Sequence, residues 1–238
     1  DVTLNANDAA NDDSTTETVT VGAIGTTVAN GINTVAITGR DGITLNGNIT
    51  TSSAVGNSVG LTGPVTLGAD ITIDTDANTT NTSGTVTFSS TINGGQNLDI
   101  LTGGAAVAVQ GVIGGTTALS SLDINQGGGA GTIELASIGA GTTEETQDGV
   151  AGVSRIGNAN TASITLDGTN YNFAGATTFT AAAGENIDLT GGGTTTFTLS
   201  KDNIAFATSN VSLGNGSDLV VNSNGGTITA LNINGTSS

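Results

Sequence analysis

A short apolar–polar–apolar step recurs along the chain and constrains the fold more than any other feature. It appears as Val2-Thr3-Leu4, Ile43-Thr44-Leu45, Val65-Thr66-Leu67, Ile71-Thr72-Ile73, Val86-Thr87-Phe88 and Leu98-Asp99-Ile100. It continues as Leu122-Asp123-Ile124, Ile133-Glu134-Leu135, Ile164-Thr165-Leu166, Ile187-Asp188-Leu189 and Val211-Ser212-Leu213. A period of two sends alternate side chains to opposite faces of a strand. The flanking residues are mostly β-branched, which suits a pleated surface. Gly, Asn, Ser and Asp separate the steps and are turn formers. No apolar run at helical spacing survives the interspersed glycines. Each strand carries only two or three inward residues, so neighbours must stack to make a core.

The spacing points to how they stack. Near the C-terminus, strand starts at positions 187, 197 and 204 are answered in turn by starts at positions 211, 219 and 228. A three-sided coil of about 22–24 residues gives this pattern. The expected fold is all-β, a right-handed parallel β-helix (β-solenoid) in which residues such as Leu189 and Leu213 stack. Tandem antiparallel β-sandwiches are the alternative. They draw on Asn-Gly dipeptides at 30–31, 46–47, 93–94, 215–216, 224–225 and 234–235, since Asn-Gly favours two-residue hairpins. Five Phe, one Tyr and no Trp are few aromatics for sandwich cores. The whole chain, 1–238, reads as a single solenoid segment. Residues 139–160 lose the alternation and carry Glu144, Glu145, Asp148 and Arg155, which suggests an acidic loop excursion from the rod.

Composition removes much chemistry. The chain has no His and no Cys, hence no side chain that titrates unperturbed near neutrality, no thiol nucleophile and no disulfide. Arg40, Arg155 and Lys201 are the only cations in a chain of net charge −17, so no phosphate-binding surface is expected and nucleic acid is not a partner. No run approaches the roughly 18 apolar residues of a membrane span. The first residue is Asp1, as expected of a processed product or an internal segment.

The segments 63–73 (GPVTLGADITI), 84–94 (GTVTFSSTING), 97–101 (NLDIL) and 111–124 (GVIGGTTALSSLDI), with the openings 1–6 (DVTLNA) and 42–50 (GITLNGNIT), carry a resemblance. They are similar to repeat units of giant bacterial β-strand-repeat surface proteins, the filamentous-haemagglutinin-like and autotransporter-type adhesins. The resemblance covers about two thirds of the chain and rests on low-complexity β phrases. It implies a secreted, extracellular, right-handed β-helix at the bacterial cell surface, with a structural or adhesive role. It carries over no catalytic residue.

The residues alone suggest several sites. Segment 213–220 (LGNGSDLV) approaches the glycine-rich calcium nonapeptide, with Leu213 in place of the first Gly and Asp218 as the ligand. Asp74-Thr75-Asp76-Ala77-Asn78 begins like a calcium loop but lacks the Gly and Glu of an EF-hand. Asp74, Asp76, Asn78 and Asp218 are therefore the calcium candidates, and no cofactor is required. A polysaccharide-active β-helix enzyme would need two carboxylates about 5–10 Å apart across a groove, for which Asp99, Asp123 and Glu134 are the candidates. Without His or gripping aromatics, an enzyme is not expected. Outward Thr pairs such as Thr85/Thr87 and Thr196/Thr198 recur too irregularly for an ice-binding face.

The function expected from the sequence is a non-catalytic structural or adhesive segment of a secreted fibre or coat that self-associates or continues into further segments. The alternative is a binding module whose lateral loops recognise a glycan or a surface protein.

Overall fold

The computed structural model describes residues 1–6, 16–25, 32–52, 56, 58–77, 84–141 and 148–235. Described residues form strands, bridges, turns and bends and no helix, so none is long and apolar enough to cross a membrane.

The chain winds through three faces in turn. The first face runs Val2–Ala6, Val35–Gly39, Val59–Thr62, Val86–Phe88, Val107–Val109, Thr132–Leu135, Ser163–Leu166 and Asn186–Leu189. It ends on the second halves of Ile204–Leu213 and Ile228–Gly235. The second face holds Thr18–Val21, Gly42–Leu45, Val65–Leu67 and Ile92–Asn93. Single bridges at Ile113 and Ile138 carry it to Asn170–Phe173, Gly193–Leu199 and Ser217–Asn222. The third face holds Ile49–Thr50, Ile71–Asp74, Asn97–Leu101, Ser121–Ile124, Ser154–Ile156 and Thr177–Thr180, then the first halves of Ile204–Leu213 and Ile228–Gly235. Every described strand pair is parallel, for example Ile187 with Val211 and Leu189 with Leu213. The architecture is a parallel β-solenoid, as the spacing predicts.

The inward residues make continuous columns. On the first face, Val35, Val59, Val86, Val107, Ile133, Ile164, Ile187 and Val211 lie one over another and are all but fully buried. Coils stack at about 4.8 Å, so each aliphatic side chain packs on its equivalents above and below. Burial of such a column at roughly 25 cal/mol per Å² of apolar area is the main stabilising term.

Coil length varies more than the C-terminal spacing suggests. On the first face the shortest coil runs from Val86 to Val107 and the longest from Val2 to Val35. Corners absorb the difference, because ladder pairing fixes the faces and not the turns. One register also differs. Phe197 pairs with Val221, and Leu219 lies over Thr195 rather than over Phe197. The second-face step therefore equals the first-face step from Ile187 to Val211 and is longer than the strand starts imply.

None of the described Asn-Gly dipeptides makes a hairpin; the pair at 30–31 lies outside the described residues, and Asn234-Gly235 closes the strand Ile228–Gly235. Asn215 and Gly216, like Asn224 and Gly225, have positive φ, yet the strands they join lie on different faces. Corner Asn and Asp side chains instead accept main-chain N–H groups from the next coil. Asn48 Oδ1 takes the N–H of Thr72 at 2.9 Å, Asp70 Oδ1 that of Asn97 at 2.9 Å and Asn203 Oδ1 that of Thr227 at 2.8 Å. Such bonds satisfy donors that the ladder leaves unpaired where the chain turns.

The excursion expected over 139–160 is narrower than the sequence suggests. Val150, Ser154 and Ile156 are fully buried, Ser154–Ile156 is a third-face strand, and Val150 bridges Phe173. Glu144 and Glu145 lie outside the described residues. On either side of them, Asp148 Oδ2 accepts the N–H groups of Ala140 and Gly141, both at 2.8 Å. This clamp returns the chain to the coil at Asp148.

Candidate functional site

Charge and unsatisfied polarity meet at the outer surface of the third face and the corner that follows it. The alternation that buries Leu98 and Ile100 turns Asp99 outward, and the same holds for Asp123 between Leu122 and Ile124. In-register pairing then sets Asp99 directly beside Asp123, and Asp123 beside Arg155. Thr72 continues the row below Asp99.

Arg155 grips Asp123 through both guanidinium edges, Nε to Oδ1 at 3.0 Å and an Nη to Oδ2 at 2.6 Å. A planar fork on a carboxylate suits this spacing. Arg155 stays exposed, so the pair contributes little to stability. Asp99 has no such partner. Burial raises its pKa, the charges of Asp123 and Asp74 raise it further, and Arg155 pulls it back in part. Asp74 is also raised, by burial first and by the Asp76 charge, against a lowering hydrogen bond from the Asp76 N–H at 2.8 Å. Both carboxyls hold their protons more strongly than an exposed Asp.

The adjoining corner is polar on the inside. Thr51, Thr75, Thr102 and Asn125 are essentially fully buried where the third face ends. Asn125 has φ +56°, and its Oδ1 accepts the Thr102 N–H at 2.8 Å. A side-chain oxygen thereby replaces the carbonyl that the next coil would supply. That bond fixes the amide orientation and leaves Nδ2 buried without a partner. Asp76 Oδ1 is likewise buried and unpartnered.

Glycines make room for this arrangement. A Cβ on Gly103 would sit 2.6 Å from the Asp76 carboxylate, and Gly103 has φ +55°. Only glycine fits both demands. A cleft of about 180 Å³ opens between Asp74, Asp76, Gly103, Asn125 and Gly127–Gly129. A second hollow shares Gly128 and Gly129 and continues toward Asn160 and Ala182.

The fold brings together only part of the expected metal set. Asp74 and Asp76 are neighbours, Asn78 lies outside the described residues, and Asp218 is several coils away on the second face beside Thr194. The between-coil acidic stacking that a calcium nonapeptide needs is therefore not formed at Asp218. Among the described residues, no three acidic side chains gather closely enough to hold a metal. A cation between Asp74 and Asp76 would complete its shell with backbone carbonyls or water. Of the three carboxylates considered for polysaccharide chemistry, Asp99 and Asp123 share the third face. Glu134 is on the first, between Ala108 and Thr165.

Sequence reasoning missed Asn125 and Gly103, which carry the corner. The DINQGGG run at 123–129 was the available signal, because Asn before a glycine cluster marks a left-handed turn. No family model, curated protein or solved structure matches the chain.

Proposed function

We propose that this chain is a non-catalytic structural segment of a secreted bacterial surface fibre or coat, acting as a stiff spacer. The observation that supports this best is the unbroken parallel ladder, with ten strands on the first face over one continuous apolar column. Each coil bonds to its neighbours along the axis, so the rod resists bending without needing a compact core. An acidic outer surface repels neighbouring rods and anionic lipid, which suits a soluble filament. The resemblance of segments 63–73 and 84–94 to β-strand-repeat adhesins agrees with this role. Immunogold labelling of the producing cells tests it. Gold on extracellular filaments or coat, removed by external protease, is the expected result. Label confined to the cytoplasm would overturn the proposal.

A second reading, a module that binds a glycan or surface protein, is favoured by the corner cleft with its unpartnered Asn125 and Asp76 groups. Saturable binding on a glycan array, lost in Asn125→Ala, would support it.

A further inference from the structure

The corner cleft at the end of the third face holds two buried atoms of opposite hydrogen-bonding sense. The carboxylate oxygen Asp76 Oδ1 accepts, the amide Asn125 Nδ2 donates, and neither has a partner. Asn125 is 1 % exposed, and its Oδ1 is committed to the Thr102 N–H at 2.8 Å, so the amide cannot turn over to relieve Nδ2. A buried polar atom left unpartnered costs about 1–3 kcal/mol. The two residues stand on coils either side of the one that carries Leu101, which pairs with Asp74, as Ile100 pairs with Ile124. Their meeting at one cleft is a product of the stack.

One wall of the cleft is bare for a reason other than packing. Gly103 is held by its positive φ and the Asp76 carboxylate, and Gly129 by the Gly103 carbonyl. Gly127 has no positive φ, and a Cβ there would meet only Leu101 Cδ2 at 3.7 Å, an ordinary contact. Glycine at 127 instead leaves open space over Leu101. Leu101 follows the buried Ile100, faces outward and is half-buried, so it lends the cleft an apolar surface beside Asp74.

We propose that this cleft binds a unit of a neutral glycan, through sugar hydroxyls that donate to Asp76 Oδ1 and accept from Asn125 Nδ2. A hydroxyl is both donor and acceptor, so adjacent hydroxyls supply both missing partners. A simple cation would satisfy Asp76 and repel the Asn125 N–H. An anion would satisfy Asn125 and be repelled by Asp74 and Asp76. The C–H face of the sugar packs on Leu101, and a few polar groups set against an apolar wall are the usual make-up of a ligand site. No described Lys or Arg lines the cleft, so uronic, sialic and sulfated sugars are disfavoured. The hollow beyond Gly128 and Gly129 leaves room for the glycan to continue toward Asn160. Such binding rests on the glycan reading of the cleft and narrows it to one ligand class. The fibre role does not depend on it.

An array of neutral, uronic, sialic and sulfated glycans, probed with the labelled full chain, tests the class. Signal from neutral glycans, and none from the acidic ones, is expected. Titration with the neutral glycan that gives the strongest signal then tests the place. Gly127→Val fills the space over Leu101 and is expected to weaken binding about tenfold or more. Gly95→Val, at a corner where a Cβ meets nothing within 4 Å, is expected to bind as the parent does. Asn125→Asp exchanges the Nδ2 donor for an oxygen and is expected to lose binding. Circular dichroism establishes that each variant has folded. Gly127→Val, which removes no side-chain hydrogen bond, decides the outcome should Asn125→Asp fail to fold. Neutral-glycan binding left unchanged by Gly127→Val would overturn the inference while the glycan reading survives at another surface. Binding to acidic glycans would overturn the neutral class. No signal from any glycan would overturn the inference and the glycan reading together.

Discussion

The coils between Ser163 and Leu213 and those between Val35 and Leu101 share one ladder but fill it differently. In the earlier coils the second-face column is Ile43, Val65 and Ile92, and the third-face column is Ile49, Ile73 and Ile100. In the later coils the same columns become Tyr171 and Phe197, and Phe179 and Phe206. Tyr171 and Phe197 stack at 4.9 Å, Phe179 and Phe206 at 5.6 Å. Phe197 meets Phe206 edge-on at 5.3 Å and so links the second face to the third. Aliphatic layers interact mainly up and down a column. The aromatic cluster also interacts across faces, and coil length there stays nearly constant, from Ile164 to Ile187 to Val211. Rings that span the interior leave less freedom to the corners than separate aliphatic columns do.

The largest expected effect tests this contrast directly. Phe179→Ala should cost about 3–5 kcal/mol in denaturant melts, the range for emptying an aromatic core site. A double-mutant cycle of Phe179→Leu with Phe206→Leu should show a coupling of about 0.5–1.5 kcal/mol. The matching cycle of Ile73→Val with Ile100→Val should show less. Equal couplings would erase the distinction between the two regions.

Next in size is a corner substitution in the coils that join the regions. A Cβ on Gly129 would lie 1.7 Å from the Gly103 carbonyl oxygen, so the two coils would have to separate. Gly129→Ala should destabilise by about 1–3 kcal/mol. Gly95→Ala, where a Cβ meets nothing within 4 Å, should stay within about 0.5 kcal/mol of the parent. Matched melts of the two variants check this.

The charged face gives a smaller, pH-dependent effect. Folding raises the pKa of Asp74 and Asp99, so the folded state binds more protons than the unfolded chain between the ordinary carboxylate value, about 4, and the raised folded value. Stability therefore falls as pH rises through that window and is regained on acidification. Asp99→Asn should raise the neutral-pH Tm and flatten its dependence on pH. A lower Tm, or an unchanged slope, would contradict the assignment. Smallest of all, Arg155→Gln should cost below about 1 kcal/mol because the Asp123 pair is exposed.

These regions were not equally legible in the sequence. The aliphatic coils announce themselves, because Val-Thr-Leu and Leu-Asp-Ile steps put an apolar residue at each inward position. Where the inward residue is polar, the alternation disappears. Ser154 and Thr177 are fully or almost fully buried in the column that continues from Ile71, Leu98 and Leu122, so the pattern is lost there, although Ser154–Ile156 is an ordinary strand. Asn170–Phe173 was hidden in the same way, because Asn172, between Tyr171 and Phe173, is buried where its amide donates to Asp148 Oδ1 at 2.9 Å, and Tyr171 sends its hydroxyl to the Leu135 carbonyl at 3.2 Å. At the candidate corner, Asp74 and Asp76 stood out as a carboxylate pair. Their surroundings did not, since the Asn125 amide and the Gly103 cradle arise only when residues from successive coils, far apart in the chain, stack.

Electron microscopy of the purified 238-residue chain tests the central claim most directly, because it reads the solenoid as a whole. Ten first-face strands at about 4.8 Å predict narrow, unbranched rods on the order of 45–50 Å long. Round particles with no long axis would contradict the account.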